Sequence, residues 1–204
     1  VNILALGAHP DDIEIGCSGT LIKYAKKGNN IFLMVLTKGE FGGDKKTRRK
    51  EQMDSMGIIG AKDVFWGNYK DTELPLNKEL ISKIEIIIRK IKPSFIFVNY
   101  PEDTHQDHRH LASATISATR YIRNVLFYEV PTTVNFSPNV FVDIEEYLDM
   151  KIESLKAHAS QIMKTNIKDL SIIEIAKSQA NFRGIQGRVK YAEGFCSLRL
   201  FINI

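Results

Sequence analysis

Three short apolar runs do most to limit what this chain can fold into. They are "VNILALGA" (1–8), "NIFLMVLT" (30–37) and "SFIFVNY" (94–100). Each is nearly continuous, so both of its faces must be buried, and each is too short for a buried helix. Helix-like patterns separate them. "SGTLIKYAKKGN" (18–29) is closed by Gly28, and 47–61 takes Thr47 as its N-cap. "NKELISKIEIIIRKIKP" (77–93) is amphipathic and stops before Pro93. "DVFWG" (63–67) reads as a short third strand, 108–123 as a helix and "NVLFYEV" (124–130) as a fifth strand.

Strands alternating with helices imply parallel pairing through crossover helices. The expected fold is α/β: a doubly wound, Rossmann-like, mostly parallel sheet of order near 3-2-1-4-5, with helices on both faces. The last third is less regular. A strand is expected over 139–144, helices over 145–158 and 169–182, and a late strand over 191–202. There is no repeat or Pro/Gly/Ser linker, so residues 1–204 are expected to form a single domain.

Composition excludes several classes. At 44% hydrophobic and 25% charged residues the chain is ordinary for a globular protein. No apolar run approaches a membrane span of roughly 20 residues, so no stable membrane insertion is expected. The chain enters a strand-like run at once, which predicts no signal peptide and a cytoplasmic setting. The net charge of +4 is mild. The basic run "KKTRRK" (45–50) reads as a solvated loop and helix start, and no nucleic-acid partner is expected. Cys17 and Cys196 have neither metal-ligand nor redox spacing.

Chemistry concentrates in two segments. "HPDD" (9–12) closes the first strand, and "PEDTHQDHRH" (101–110) follows the fourth. In a 3-2-1-4-5 order those strands flank the switch point, where such sheets bind ligands. Four of the 5 histidines lie in these two segments. Imidazole and carboxylate together suit zinc, and a catalytic zinc keeps three protein ligands and an open position. His9 with one Asp of the pair offers two ligands, and a His from 105–110 offers a third. The other Asp is then free to take a proton from bound water.

"AHPDDIEIGCSGT" and "HQDHR" (105–109) resemble the paired signatures of the LmbE-like (PIG-L) family of zinc-dependent de-N-acetylases. That family includes N-acetylglucosaminyl-phosphatidylinositol deacetylases and the deacetylases of mycothiol and bacillithiol synthesis. "RRKE" (48–51), "KDTEL" (70–74), "HASQ" (158–161) and "YAEGF" (191–195) resemble its weaker landmarks. The resemblance implies His9, Asp12 and His108 as ligands to Zn2+, with Fe2+ or another divalent metal as the alternative. It implies Asp11 as general base and His105 as the group that stabilises the oxyanion and helps protonate the leaving amine. Asp107 is implied to orient a neighbouring histidine. Arg48 is implied to pair with a phosphate or carboxylate of the substrate, and Asp71 with sugar hydroxyls. Asp103 stands where the family pattern commonly carries an aromatic residue. His110 matches no family role, and His158 reads as a structural landmark.

The implied activity is removal of an N-acetyl group from an amino-sugar-containing substrate by attack of zinc-bound water. A small-molecule or glycan N-acetylated sugar is expected as the substrate, and homo-oligomerisation is left open. Other acyl bonds are the alternative, either an O-acetyl ester or a thiol-conjugate amide. A non-catalytic binding module on the same fold is another. Against that module, the first strand-to-helix turn lacks the G-x-G-x-x-G phosphate cradle.

Overall fold

A computed structural model describes residues 1–202. The first run forms β1 (Asn2–Gly7) and the second β2 (Asn30–Thr37); β3 (Ala61–Tyr69), β4 (Phe95–Asn99) and β5 (Val125–Tyr128) follow. β1 lies parallel to β2 and β4, β2 to β3, and β4 to β5, which gives the expected 3-2-1-4-5 order. Two further strands extend the sheet. β6 (Val140–Asp143) and β7 (Ala192–Arg199) pair antiparallel, and β7 also runs antiparallel to β5. The full order is β3-β2-β1-β4-β5-β7-β6.

Strand period two divides the core into two layers. Ile3, Ala5, Ile31, Leu33 and Phe97 face one side; Leu4, Leu6, Met34, Ile96 and Val98 face the other. The first side is covered by α1 (Asp12–Lys26), α2 (Lys45–Ile59), α5 (Leu148–Lys156) and α6 (Ile172–Gly187). The second is covered by α3 (Lys78–Ile91) and α4 (Gln106–Ala118). α3 shows why: Leu80, Ile84, Ile88 and Ile91 make one buried stripe at helical spacing. No helix among the described residues is long and apolar enough to cross a membrane.

Helix ends depart from expectation in ways that matter for the site. α1 starts at Asp12 instead of residue 18. Ile13, Ile15, Gly16 and Gly19 have modest or poor helix propensity, but burial of this first turn outweighs it. Gly16 and Gly19 therefore lie inside the helix. A Cβ on Gly16 would come within 2.0 Å of the Tyr128 ring, so the bare backbone lets β5 approach. α2 is capped by Asp44, whose side chain accepts from the Thr47 backbone N–H and hydroxyl; Thr47 is not the cap. α4 begins at Gln106 and ends at Ala118, short of 123, with His105 as its cap. α6 is displaced from 169–182 because the Ser171–Glu174 capping box sets its start.

Candidate metal centre

Both polar segments stand at carboxyl ends of adjacent central strands. β1 delivers His9 through Asp12, and β4 delivers the segment that enters α4. The turn between β1 and α1 is strained: Asp11 has φ 97°, a conformation rarely adopted by a residue with a side chain. It is held from α2. The Arg48 guanidinium donates to the Pro10 carbonyl and lies 3.5 Å from Asp11 Oδ2, and Gln52 Oε1 accepts from the Asp11 N–H at 3.3 Å.

Three atoms converge. His9 Nδ1 is 3.2 Å from His108 Nε2, His108 Nε2 is 3.3 Å from Asp12 Oδ2, and Asp12 Oδ2 is 3.5 Å from His9 Nδ1. A tetrahedral zinc with bonds of about 2.0–2.2 Å needs ligand separations of about 3.3–3.6 Å. The triangle has nearly that size before any ion is considered.

Tautomers fit as well. His9 Nε2 faces two carboxylates, Asp71 Oδ1 at 3.0 Å and Asp107 Oδ2 at 3.2 Å. Its proton belongs there, which leaves the Nδ1 lone pair for a metal. His108 Nδ1 faces Asp103 Oδ2 at 3.1 Å, which leaves Nε2. These are the carboxylate–histidine–metal arrangements that orient ligands. Asp12 Oδ2 also accepts from the His9 backbone N–H and from Asn99 Nδ2. Asn99 Oδ1 accepts from the Ala8 N–H, and the Tyr128 hydroxyl, with one proton for two acceptors, lies 2.7 Å from the Leu6 carbonyl and 3.1 Å from Asn99 Oδ1. Two other groupings bring candidate ligand atoms together: His9, His105 and His108, and His9, Asp71 and Asp107. The first is weaker because His105 Nδ1 is occupied by the Asp107 N–H, and the second because its carboxylates meet the proton-bearing edge of His9.

Burial alone would lower the pKa of His9, but Asp107, Asp12 and Asp71 hold it well above the usual histidine value. Burial opposes charge on His108 too, yet Asp12 and Asp103 push it up to about 9. His105 goes the other way, lowered by burial and by its two histidine neighbours. A neutral His105 that accepts at Nδ1 carries its proton on Nε2. Asp11 is raised by burial, against the pull of Arg48. It is not sealed off: 19% of its side chain remains accessible, on the wall of the cavity.

That cavity has a volume of about 510 Å³. His9, Asp11, Asp12, Arg48, Asp71, His105 and His108 all line it. Asp107 lies behind His9, fully buried, accepting from the Thr72 and Leu74 N–H groups. His110 is turned away onto the Leu74 carbonyl. Arg48 and Asp71 are 3% and 5% exposed, and both are already engaged with the protein, Asp71 by His9 and the Phe41 N–H. Sequence reasoning named Asp103 without its role and missed Asn99. Asp103 carried a signal, an acid five residues before His108; Asn99 carried none beyond ending a strand. His158 also lines the cavity, buried, with its Nε2 3.5 Å from Glu14 Oε1.

Fold and site together define an α/β protein with a two-histidine, one-carboxylate candidate metal centre at the switch point of its sheet. The chain belongs to the PIG-L, or LmbE-like, family of metal-dependent deacetylases: the family pattern described as GlcNAc-PI de-N-acetylase matches residues 4–119. It is 38% identical to the uncharacterized deacetylase YaiS of Escherichia coli, over 78% of this chain and 90% of that protein. It is 29% identical to diacetylchitobiose deacetylase of Thermococcus kodakarensis, over 78% of this chain and 69% of that one. The crystal structure of the conserved protein TT1542 from Thermus thermophilus superposes with a TM-score of 0.88 at 25% identity, covering 99% of this chain and 96% of that one. A 4-oxalmesaconate hydratase of Pseudomonas putida is 21% identical over 78% of this chain and 73% of its own, so this lineage carries more than one chemistry.

Proposed function

We propose that this protein is a metal-dependent N-deacetylase of an amino-sugar-containing substrate, acting as a single domain. The observation that carries the reading is the ligand triangle of His9, Asp12 and His108 beside Asp11, on the wall of a cavity large enough for a sugar. The donor set favours zinc. A divalent ion held there supplies Lewis acidity, acidifying water and polarising an acyl carbonyl.

The remaining work falls to the chain. Asp11 accepts the proton of the attacking water and returns it to the departing nitrogen, giving amine and acetate. The strained turn, braced by Arg48, keeps this carboxylate apart from its neighbour Asp12. His105, its proton on Nε2, donates to the oxygen on which negative charge develops. Asp107 and Asp71 orient His9, and Asp103 orients His108. In this reading Arg48 acts mainly through Asp11, and any contact it makes with a substrate anion is additional.

The test is release of acetate from a panel of N-acetylated substrates: N-acetylglucosamine, diacetylchitobiose, and nucleotide- and lipid-linked N-acetylglucosamine. Activity on at least one, abolished by chelation and restored by zinc, is expected. Acetate release from none of them by zinc-loaded protein, alongside hydration of an unsaturated dicarboxylate, would replace the reading with a hydratase.

A further inference from the structure

The basic run starts a solvated helix, yet part of it also lines a concavity. Lys38 at the end of β2, Lys45, Lys46 and Arg49 on α2, and Trp66 and Asn68 on β3 line a second cavity of about 210 Å³. It stands at the carboxyl end of the sheet, next to the first. Lys38 adjoins Gly39 and Arg49 adjoins Arg48, and both of those neighbours line the larger cavity. The β2–α2 segment is thus a wall between two pockets.

Four cations share this small concavity. Among the described residues, none of the four pairs with a carboxylate. The nearest acid along the chain, Asp44, is occupied in capping the helix through Thr47. Lys45 and Lys46 also sit in the first turn of α2, which has no acidic residue, so they stand at the positive end of the helix dipole. Arg49 lies over Trp66, its guanidinium carbon 4.1 Å from the ring centre, a cation–π contact that holds the side chain in the pocket. The arrangement is unfavourable by itself and is relieved by a compact polyanion. Lysines offer point charges, and a held guanidinium offers a paired donor edge; together they match the oxygens of a phosphoryl group.

We propose that this pocket binds a phosphoryl group, as a phosphate monoester or diphosphate. The inference does not depend on the deacetylase reading. A single-stranded nucleic acid is the competing occupant, but it requires an extended track, and here the cations, from the end of β2 and the start of α2, converge on one concavity walled by Trp66 and Asn68 of β3.

Trp66 is the only tryptophan in the chain, so its emission reports on this pocket alone. The experiment titrates the metal-loaded protein with inorganic phosphate at constant ionic strength. Binding is followed by Trp66 fluorescence and by calorimetry. A saturable emission change is expected. It should weaken about tenfold or more in Lys45→Gln/Lys46→Gln, as two charge-assisted contacts require. It should persist in Lys26→Gln/Lys27→Gln, which removes the same charge at the opposite end of the sheet. All four positions are exposed, so both variants should fold. The proposal is overturned by no saturable change, by equal weakening in both double variants, or by a response to oligothymidylate with none to phosphate.

Discussion

Asp103→Asn tests the ligand assignment of His108 without touching a ligand. Asp103 is 4% exposed. Its Oδ1 accepts from the His105 N–H at 2.8 Å, and its Oδ2 accepts from Thr133 Oγ1 at 3.0 Å and faces His108 Nδ1 at 3.1 Å. Asparagine keeps the shape but places an NH2 group on one side. If that group faces His108, Nδ1 must become the acceptor, and the ring proton moves to Nε2, towards Asp12 and His9. A protonated Nε2 cannot bind a metal. If the amide flips, the His105 N–H loses its acceptor and His108 Nδ1 faces a neutral amide oxygen in place of a carboxylate. Either way His108 loses its charge-assisted hydrogen bond, worth about 1.5–3 kcal/mol. At about 1.4 kcal/mol per decade, zinc affinity should fall roughly 10- to 100-fold, the range usual for such supporting carboxylates. Competition with a chromogenic chelator at fixed pH reads this directly. Zinc affinity within twofold of wild type would refute the assignment of His108 Nε2 to the metal.

Other outcomes follow from the same geometry. Asp11→Asn should keep zinc and fold while losing turnover by roughly 10²–10⁴, measured by acetate release beside metal content; near wild-type turnover would remove Asp11 as the base. His105→Ala should retain zinc and lose turnover by roughly 10²–10³, whereas His108→Ala should lose zinc; the reverse pattern would exchange the two histidines. Burial opposes charge on His158, but the Glu14 carboxylate raises its pKa above 6.5. A raised folded-state pKa stabilises the fold fully below the unfolded value and less as pH climbs through the folded one. The melting temperature of wild type relative to His158→Gln should therefore be largest below pH 6.5 and shrink above it; a difference that grows with pH would contradict the pairing.

The parallel core was legible because its signal is local: continuous apolar runs of strand length, alternating with helical stripes. β6 and β7 were legible as strands, but their place was not, since antiparallel closure onto β5 depends on contacts nearly 70 residues apart. The candidate ligand triangle of His9, Asp12 and His108 could be read as two clusters that the topology must bring together. What the sequence could not show is which nitrogen of each ring faces inward. That is decided by Asp71, Asp103 and Asp107, carboxylates that a linear reading sees only as nearby acids. The substrate role of Arg48 was read from the family resemblance; its engagement with the Pro10 carbonyl depends on the strained turn at Asp11, which no linear reading shows.

Gly16 has no chemistry of its own, yet it stands at the head of a chain of contacts. Its missing Cβ admits Tyr128, whose hydroxyl packs against Asn99, which in turn donates to Asp12. Positions 16 and 128 therefore cannot drift independently. A relative with a larger residue at 16 should carry a smaller one at 128 and a different support for the aspartate. Among diverged members of the lineage, this pair should vary together although neither residue lies within reach of substrate.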